Sequence, residues 1–371
     1  MSETVSPIPF LDLSKQFQGL EAEWLDMLRA TGRAGSFVLG PNVQAFEKEF
    51  AAYVGVKHAI AVANGTDSLV LSLRALGIGP GDEVITTPFT FFASAESIST
   101  VGATPVFADI LPGSFCLDPE SVAGRVGPKT RAIMPVHIFG HAADMDALMD
   151  IARSRKLAMV EDCAQAFGAR SGGRVVGSIG DAGSFSFYPT KVLGGYGDGG
   201  MVTTDRDDVN DHIRRLRNHG AVRPFIHTEI GCNSRLDEVQ AAALRLKLRT
   251  IDADIAARRA VAARYTGLLT GVPVTPPTAH VPDAHVYNLY TLRAPRRDAL
   301  REALTVQQIG SSQCYPEGLH RQDVYKHLGY ARGSLPVCEQ ACTETLSLPI
   351  YPGMPDAHIE RVCAAIRAFL G

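Results

Sequence analysis

The sequence predicts an α/β protein with a large domain, built on a mostly parallel central sheet flanked by helices, and a smaller C-terminal α+β domain. Three observations carry this expectation. Between residues 56 and 205, short apolar runs alternate with stretches of helical periodicity, the pattern of strands joined by right-handed crossovers. From Leu236 the chain becomes an Ala/Leu/Arg-rich helical stretch with few breakers as far as Gly267. A loop-like segment over 271–282 follows, with a Pro/Thr-rich patch at 273–277, and then weaker strand and helix signals. At 371 residues, and about 150 residues per domain, two or three domains fit the length.

Taken in order, residues 20–29 are helical. Strand signals occupy 58–63, 83–86, 104–107, 132–137 and 157–161. Gly65-Thr66-Asp67 can cap a helix over 68–76, and Gly77-Ile-Gly-Pro-Gly81 ends it before the next strand. Residues 144–156 place Met145, Leu148, Met149 and Ala152 at helical spacing. After the long helical stretch, 287–292 alternates like a strand, 298–307 reads as a helix, and 358–370 as a terminal amphipathic helix. The expected division is an N-terminal segment (1–30), a large domain (31–255) and a small domain (256–371).

A net charge of −3, with 36 basic against 39 acidic residues, gives no electrostatic reason to expect nucleic acid or an anionic membrane as partner. The first nine residues lack a basic and then apolar leader pattern, and no run of about 18 apolar residues occurs, so a cytoplasmic location is expected. The 7 cysteines are odd in number and scattered, which fits a reducing compartment better than a disulfide framework. Cys338 and Cys342 lie one helical turn apart, yet no second pair or histidine close in sequence completes a zinc set, and no metal is expected.

The chemistry concentrates around Lys191. It ends the run Gly183-Ser-Phe-Ser-Phe-Tyr-Pro-Thr-Lys191 and precedes Gly194-Gly-Tyr-Gly-Asp-Gly-Gly200, while Val160-Glu-Asp-Cys-Ala-Gln165 lies upstream. Alone, a lysine is most simply a solvated surface charge. Among backbone-exposing glycines it can form a Schiff base, and an aspartate ending an apolar strand, Asp162, can keep a pyridine nitrogen protonated. Together they point to pyridoxal 5'-phosphate. A buried carboxylate needs a cation or several donors, and a helix cap is the alternative use of Asp162. Asn64-Gly65-Thr66 lies where a strand feeds a helix, a geometry that favours a phosphate. The next strand runs into Thr86-Thr-Pro-Phe-Thr-Phe-Phe92, just past a C-terminal strand edge, where ligands of parallel sheets bind. At least two of these three aromatics are expected in the core.

These segments resemble the sugar aminotransferases of the DegT/DnrJ/EryC1/StrS group, related to aspartate aminotransferase. The likeness runs from Pro9-Phe-Leu-Asp-Leu13 to Leu348-Pro-Ile-Tyr-Pro352, with Asn64-Gly-Thr-Asp67, Glu161-Asp-Cys-Ala-Gln165, Phe185-Ser-Phe-Tyr-Pro-Thr-Lys191 and Asn233-Ser-Arg-Leu-Asp-Glu-Val-Gln-Ala-Ala242 most diagnostic. It implies the fold type I architecture of pyridoxal-phosphate-dependent transferases, with residues 1–30 near the small domain and the substrate cleft. It also implies that Gly65, Thr66 and Ser186 hold the cofactor phosphate, Phe91 covers the ring, Gln165 reaches the ring hydroxyl and Lys191 is the catalytic base. Asn233 would enter the neighbouring subunit's phosphate cup, making a homodimer with shared active sites; a cap for the helix that follows it is the alternative use.

The amino donor implied is L-glutamate and the acceptor a nucleotide-linked ketosugar. The wording 233–238 looks more like relatives acting on 3-keto than on 4-keto sugars. A cyclitol or keto-acid sugar remains open as acceptor. Relatives with histidine in place of the lysine dehydrate sugars, so Lys191 favours transfer over dehydration. A regulatory role that merely kept the fold finds no DNA-binding module or basic arm in support. Candidate substrate residues are His219, Arg235, Tyr315 and His320. Arg235 could hold the donor carboxylate, an acidic sugar or an interface ion pair. Two departures from the family pattern stand out: Cys314 and Asn288 occupy positions where relatives often carry histidine.

Overall fold

The computed structural model describes residues 6–279 and 281–371, so His280, within the expected loop, lies outside the described residues, as do residues 1–5 of the N-terminal segment. Seven strands form the central sheet: β1 (His58–Val62), β2 (Glu83–Thr86), β3 (Thr104–Phe107), β4 (Thr130–Met134), β5 (Ala158–Asp162), β6 (Ala182–Ser186) and β7 (Gly200–Thr204). Their spatial order is β1-β7-β6-β5-β4-β2-β3. Neighbours from β6 to β3 are parallel, and only β7 is reversed, antiparallel to both β1 and β6. The expected mostly parallel sheet is present. The interior of these strands is almost wholly buried, as required of a sheet covered on both faces by helices.

The helices of this part are α1 (Ser14–Ala34), α2 (Pro41–Val54), α3 (Gly65–Ala75), α4 (Ala93–Thr100), α5 (Pro119–Arg125), α6 (Met145–Arg155), α7 (Asp207–Leu216) and α8 (Glu238–Leu248). α2 begins on Gly40 without a side-chain cap. Glu238 of α8 supplies one from a distance, accepting from Asn42 N at 2.9 Å and Val43 N at 2.8 Å. Phe50 of α2 then packs its ring 5.0 Å from Phe185 and 5.7 Å from Phe187. Each such aromatic pair contributes about 0.5–1.5 kcal/mol beyond area burial, and together they fix the strand that leads to Lys191. Glu47, also on α2, accepts from Ala61 N at 2.9 Å and pairs with Arg217 at 2.6 Å and Arg214 at 3.0 Å. This pins β1 just before the Asn64 turn.

Beyond α8 come α9 (Ile251–Leu268), α10 (Arg297–Val306), α11 (Pro336–Glu344) and α12 (Asp356–Leu370), with an antiparallel pair β8 (Tyr290–Arg293) and β9 (Thr345–Leu348). A separate core including Val261, Tyr265, Tyr290, Leu346 and Ile366 lies under these elements. The N-terminal segment touches both parts: Ile8 bridges Ile309, while Trp24 of α1 packs edge-on against Tyr196, 5.2 Å away.

Several expectations need correction. The helix expected over 68–76 begins at Gly65, because Asn64 is its cap and accepts from Asp67 N at 2.8 Å. The single helical stretch after Leu236 is two helices interrupted at Arg249 and Thr250, where no glycine or proline marks the break. The expected boundary between residues 255 and 256 falls within α9, whose Ile251 and Ile255 pack in the core of the large part and whose Val261, Ala262 and Tyr265 pack in that of the small one. The strand expected from Tyr287 starts at Tyr290, since Tyr287 has a φ of 51°, in the left-handed region that interrupts extended backbone.

Candidate active site

The C-terminal ends of the parallel strands and the turns after them enclose a cavity of about 510 Å³. At one side is the N-terminus of α3. Asn64 satisfies Asp67 N with its side chain and Ser68 N with its carbonyl, so Gly65 and Thr66 supply the first two helix amides, which have no acceptor within the helix. They face the cavity together with Ser186. A side chain at position 65 would put its Cβ 2.6 Å from Ser186 Cβ, and one at Gly200 would come within 2.3 Å of Asn64 O. Glycine at both positions lets three backbone segments converge into an anion cradle.

Asp162 is the last residue of β5 and only 4 % exposed. Its carboxylate accepts from Ser94 Oγ at 2.7 Å and Ala164 N at 3.1 Å. Among the described residues it makes no ion pair within 4.0 Å. Burial pushes its pKa up, against these two hydrogen bonds and the more distant charge of Lys191. The site thus holds an acidic group short of one positive partner. Lys191 lines the same cavity, and burial lowers its pKa while Asp162 opposes the shift. A lowered pKa enriches the neutral, nucleophilic amine.

Behind Asp162, Glu161 points into the opposite layer. It accepts from Gly177 N (2.8 Å), Ile179 N (2.8 Å) and Gly180 N (2.7 Å) and approaches His137 Nε2 at 3.2 Å. Burial alone would raise its pKa, but His137 and the amides outweigh burial and lower it. His137 Nδ1 accepts from Ala143 N at 3.0 Å, so Nε2 carries the proton donated to Glu161. His137, Glu161 and Cys163 bring potential ligand atoms within 4.8 Å of one another. The donors already occupying His137 and Glu161 make this a strand-to-loop clasp that holds the end of β5 in place.

Of the three aromatics after β2, Phe89 is fully buried and Phe92 packs against the core, whereas Phe91 is 62 % exposed and lines the cavity. Gln165 also lines it, with its amide engaged by Phe139 N (2.8 Å) and the Tyr315 hydroxyl (2.7 Å). Reaching a ring hydroxyl would use the remaining Nε2 hydrogen of Gln165. Ser94, Thr90, Tyr188, Thr190 and Asp198 line the cavity without having been singled out from sequence. Ser94 carried a usable signal, lying two residues beyond the aromatic run that follows β2.

The segment 194–200 folds tightly because a Cβ at Gly194 would meet Pro189 O at 2.3 Å and one at Gly197 would meet Gln240 Nε2 at 2.6 Å. Lys247 fastens it, donating to Gly194 O at 2.7 Å with its ammonium 4.2 Å from the Tyr196 ring centroid. Burial lowers the Lys247 pKa to about 8 from 10.5. For a base depressed in the folded state, the destabilising contribution is fully present below about pH 8 and fades as pH rises towards 10.5. Lys247→Met is expected to remove this contribution. The thermal-stability difference between wild type and variant should therefore shift in favour of wild type across that window, and a pH-independent difference would refute it.

Asn233 is exposed and does not line the cavity of its own chain, and Arg235 donates to Asn218 Oδ1 at 2.8 Å. His219, with a φ of 62°, belongs to a separate hollow with Phe225, which is 94 % exposed at the tip of the hairpin pairing Ala221–Arg223 with Ile226–His227. His320 is buried against Phe107 and Tyr330, with Nε2 3.3 Å from Glu339, and lies outside the cavity. It and Cys338 close around Gly318, a proximity invisible in their sequence spacing. Tyr315 does come to the site, through Gln165.

Comparison with known proteins gives a consistent assignment. Residues 18–367 match the model of the DegT/DnrJ/EryC1/StrS aminotransferase family. A "pleiotropic regulatory protein" of Geobacillus stearothermophilus is 45% identical, covering 98% of each chain. A dTDP-3-amino-3,4,6-trideoxy-alpha-D-glucose transaminase of Micromonospora megalomicea subsp. nigra is 42% identical over 95% of this chain and 96% of its own. The crystal structure of S. venezuelae DesV in complex with a ketimine intermediate superposes with a TM-score of 0.96 at 42% identity, covering 98% of each chain.

Proposed function

The chain belongs to the DegT/DnrJ/EryC1/StrS aminotransferase family, and on that premise we propose that it uses pyridoxal 5'-phosphate to move an amino group from L-glutamate to the 3-keto group of a nucleotide-linked deoxysugar. The observation that carries the reading is the convergence of Lys191, Asp162 and the α3 N-terminus on one cavity. The donor set fits the cofactor. Gly65, Thr66 and Ser186 offer hydrogen bonds to a phosphate, Phe91 offers a face to a ring, and Asp162 lacks the cation that a protonated pyridine nitrogen would provide.

When bound, the cofactor supplies an electrophilic carbonyl and an electron-withdrawing ring. Lys191 Nζ provides the nucleophilic amine and, when free, the base that takes and returns a proton. Asp162, oriented by Ser94 and Ala164 N, would supply the negative charge that keeps the ring nitrogen of a bound cofactor protonated. Gln165 and Tyr315 fix the wall between the two domains through their 2.7 Å hydrogen bond. The exposed position of Asn233 and the apolar hairpin tip support a homodimer in which each subunit completes its partner's phosphate cup. A 3-keto acceptor is supported by the 3-amino sugar named for the Micromonospora relative. Seven free cysteines support a reducing, cytoplasmic setting, and among the described residues no helix is long and apolar enough to cross a membrane.

The test is borohydride reduction of cofactor-loaded protein followed by peptide mapping, then a panel of nucleotide-linked 3-keto and 4-keto sugars and keto cyclitols. The expected outcome is a single label on Lys191 and fastest turnover with a 3-keto sugar. A label elsewhere overturns the site, and preference for another acceptor overturns the substrate assignment alone.

A further inference from the structure

A second cavity, of about 220 Å³, adjoins the first, and Gln165, Thr190 and Lys191 line both. It is smaller than the roughly 300–1,000 Å³ of pockets that take a whole ligand, which suits it to part of one. Phe10 and Leu11 from the N-terminal segment and Leu289 and Ile350 from the small domain give it apolar walls. The polar groups that line it and not the first cavity are Asn288, Cys314 and Tyr315, the last with its hydroxyl already accepting from Gln165 at 2.7 Å.

Asn288 is only 6 % exposed, and its Oδ1 has no hydrogen-bond partner. A buried polar group left unpaired is costly, so a group that supplies the missing partner gains affinity at this spot. Cys314 Sγ lies 3.8 Å from both Ser312 Oγ and Ser347 Oγ, a neutral and weakly polar neighbourhood. Apart from Lys191, none of the residues lining this cavity carries a charge. Whichever end of the Asn288 amide faces the cavity, it can pair with a hydroxyl, which both donates and accepts. It brings no positive charge to offset a carboxylate, and Lys191, the one charged group in the lining, is committed to the cofactor in the reading above; burying a carboxylate without a cation is far more costly.

We propose that this cavity is a specificity pocket for a neutral, hydroxyl-bearing part of the sugar ring, with Asn288 as its polar contact, and that it discriminates against uronic acids. The proposal rests on the aminotransferase reading above and narrows its substrate class. It concerns ring substituents, so the keto position and the nucleotide are independent of it.

The experiment measures binding by calorimetry to the cofactor-loaded enzyme. The probes are thymidine diphosphate-linked and uridine diphosphate-linked glucose, each against its glucuronate counterpart. Wild type is expected to bind the glucose member of at least one pair about tenfold or more tightly than the glucuronate. Asn288→Ala should weaken glucose binding about tenfold and shrink that ratio. Cys314→His, which brings an imidazole able to carry charge, should improve glucuronate relative to glucose. Borohydride labelling of Lys191 in each variant reports whether the site is intact. Equal or tighter glucuronate binding, no binding of either sugar, or unchanged affinities in a correctly labelled Asn288→Ala protein would overturn the pocket. Loss of Lys191 labelling in wild type would instead overturn the aminotransferase site itself.

Discussion

Lys191→Ala is expected to abolish amino transfer, lowering kcat by about 10⁴-fold or more, because one substitution removes both the nucleophile and the proton-transferring base. The fold should survive. The cavity is already open around this side chain, and the backbone turn is held by other groups, Lys191 N donating to Tyr188 O at 2.9 Å and Gly195 N to Phe187 O at 2.7 Å. Turnover by coupled assay, with thermal unfolding as the control, checks this. Activity within tenfold of wild type in a folded variant would remove Lys191 from the mechanism. The variant also tests shared sites. Co-expressed with Asn233→Ala, it should form mixed dimers in which one site has both an intact lysine and an intact asparagine. Such dimers should regain activity that neither parent shows; no recovery, once mixed dimers are demonstrated, would confine Asn233 to its own chain.

The second large effect is expected at Asp162. Asn is nearly isosteric and can keep hydrogen bonds to Ser94 and Ala164 N, so Asp162→Asn removes charge with little change in shape. We expect kcat to fall by about 10²–10³-fold, the scale seen when one preorganised electrostatic contact is deleted. Stability provides a second readout with the opposite sign. Burial raises the Asp162 pKa in the free protein, so ionising it costs folding free energy increasingly as pH rises above its ordinary value of 3.8. At neutral pH the cofactor-free variant should melt at or above the wild-type temperature, while the gain in melting temperature on adding cofactor should shrink. A large loss of stability without cofactor would show that Asp162 is a structural carboxylate, the capping alternative.

Much of this arrangement was legible one segment at a time. The runs at 83–86 and 104–107 are strands as expected: Val84, Ile85, Pro105 and Phe107 are buried, while Thr104 stays exposed on the edge strand of the sheet. The placement of Phe91, Asp162 and Lys191 near strand ends followed from where ligands of such sheets sit. Failures came where a tertiary contact replaced a local signal. Glu238 caps α2 from 196 residues away through Asn42, and α8 and α9 separate without a breaker because packing, rather than composition, sets that turn. Tyr315 could be matched to a motif, yet its hydrogen bond to Gln165 spans 150 residues. His320, matched in the same motif, instead turns away into the core.

By itself the amino-acid order determined the sheet-forming rhythm, the glycine turns and the identities of an amine and an acid at strand ends, since periodicity and backbone permissiveness are properties of neighbouring residues. Only the three-dimensional packing decided that Asp162 meets Ser94 rather than a cation, that Asn233 is exposed outside the lining of its own cavity, and that Asn288 Oδ1 is left unsatisfied in a cavity that Lys191 also lines. Those outcomes depend on how separate segments close together and exclude water, and burial, which sets both pKa and the cost of an unpaired group, arises only then.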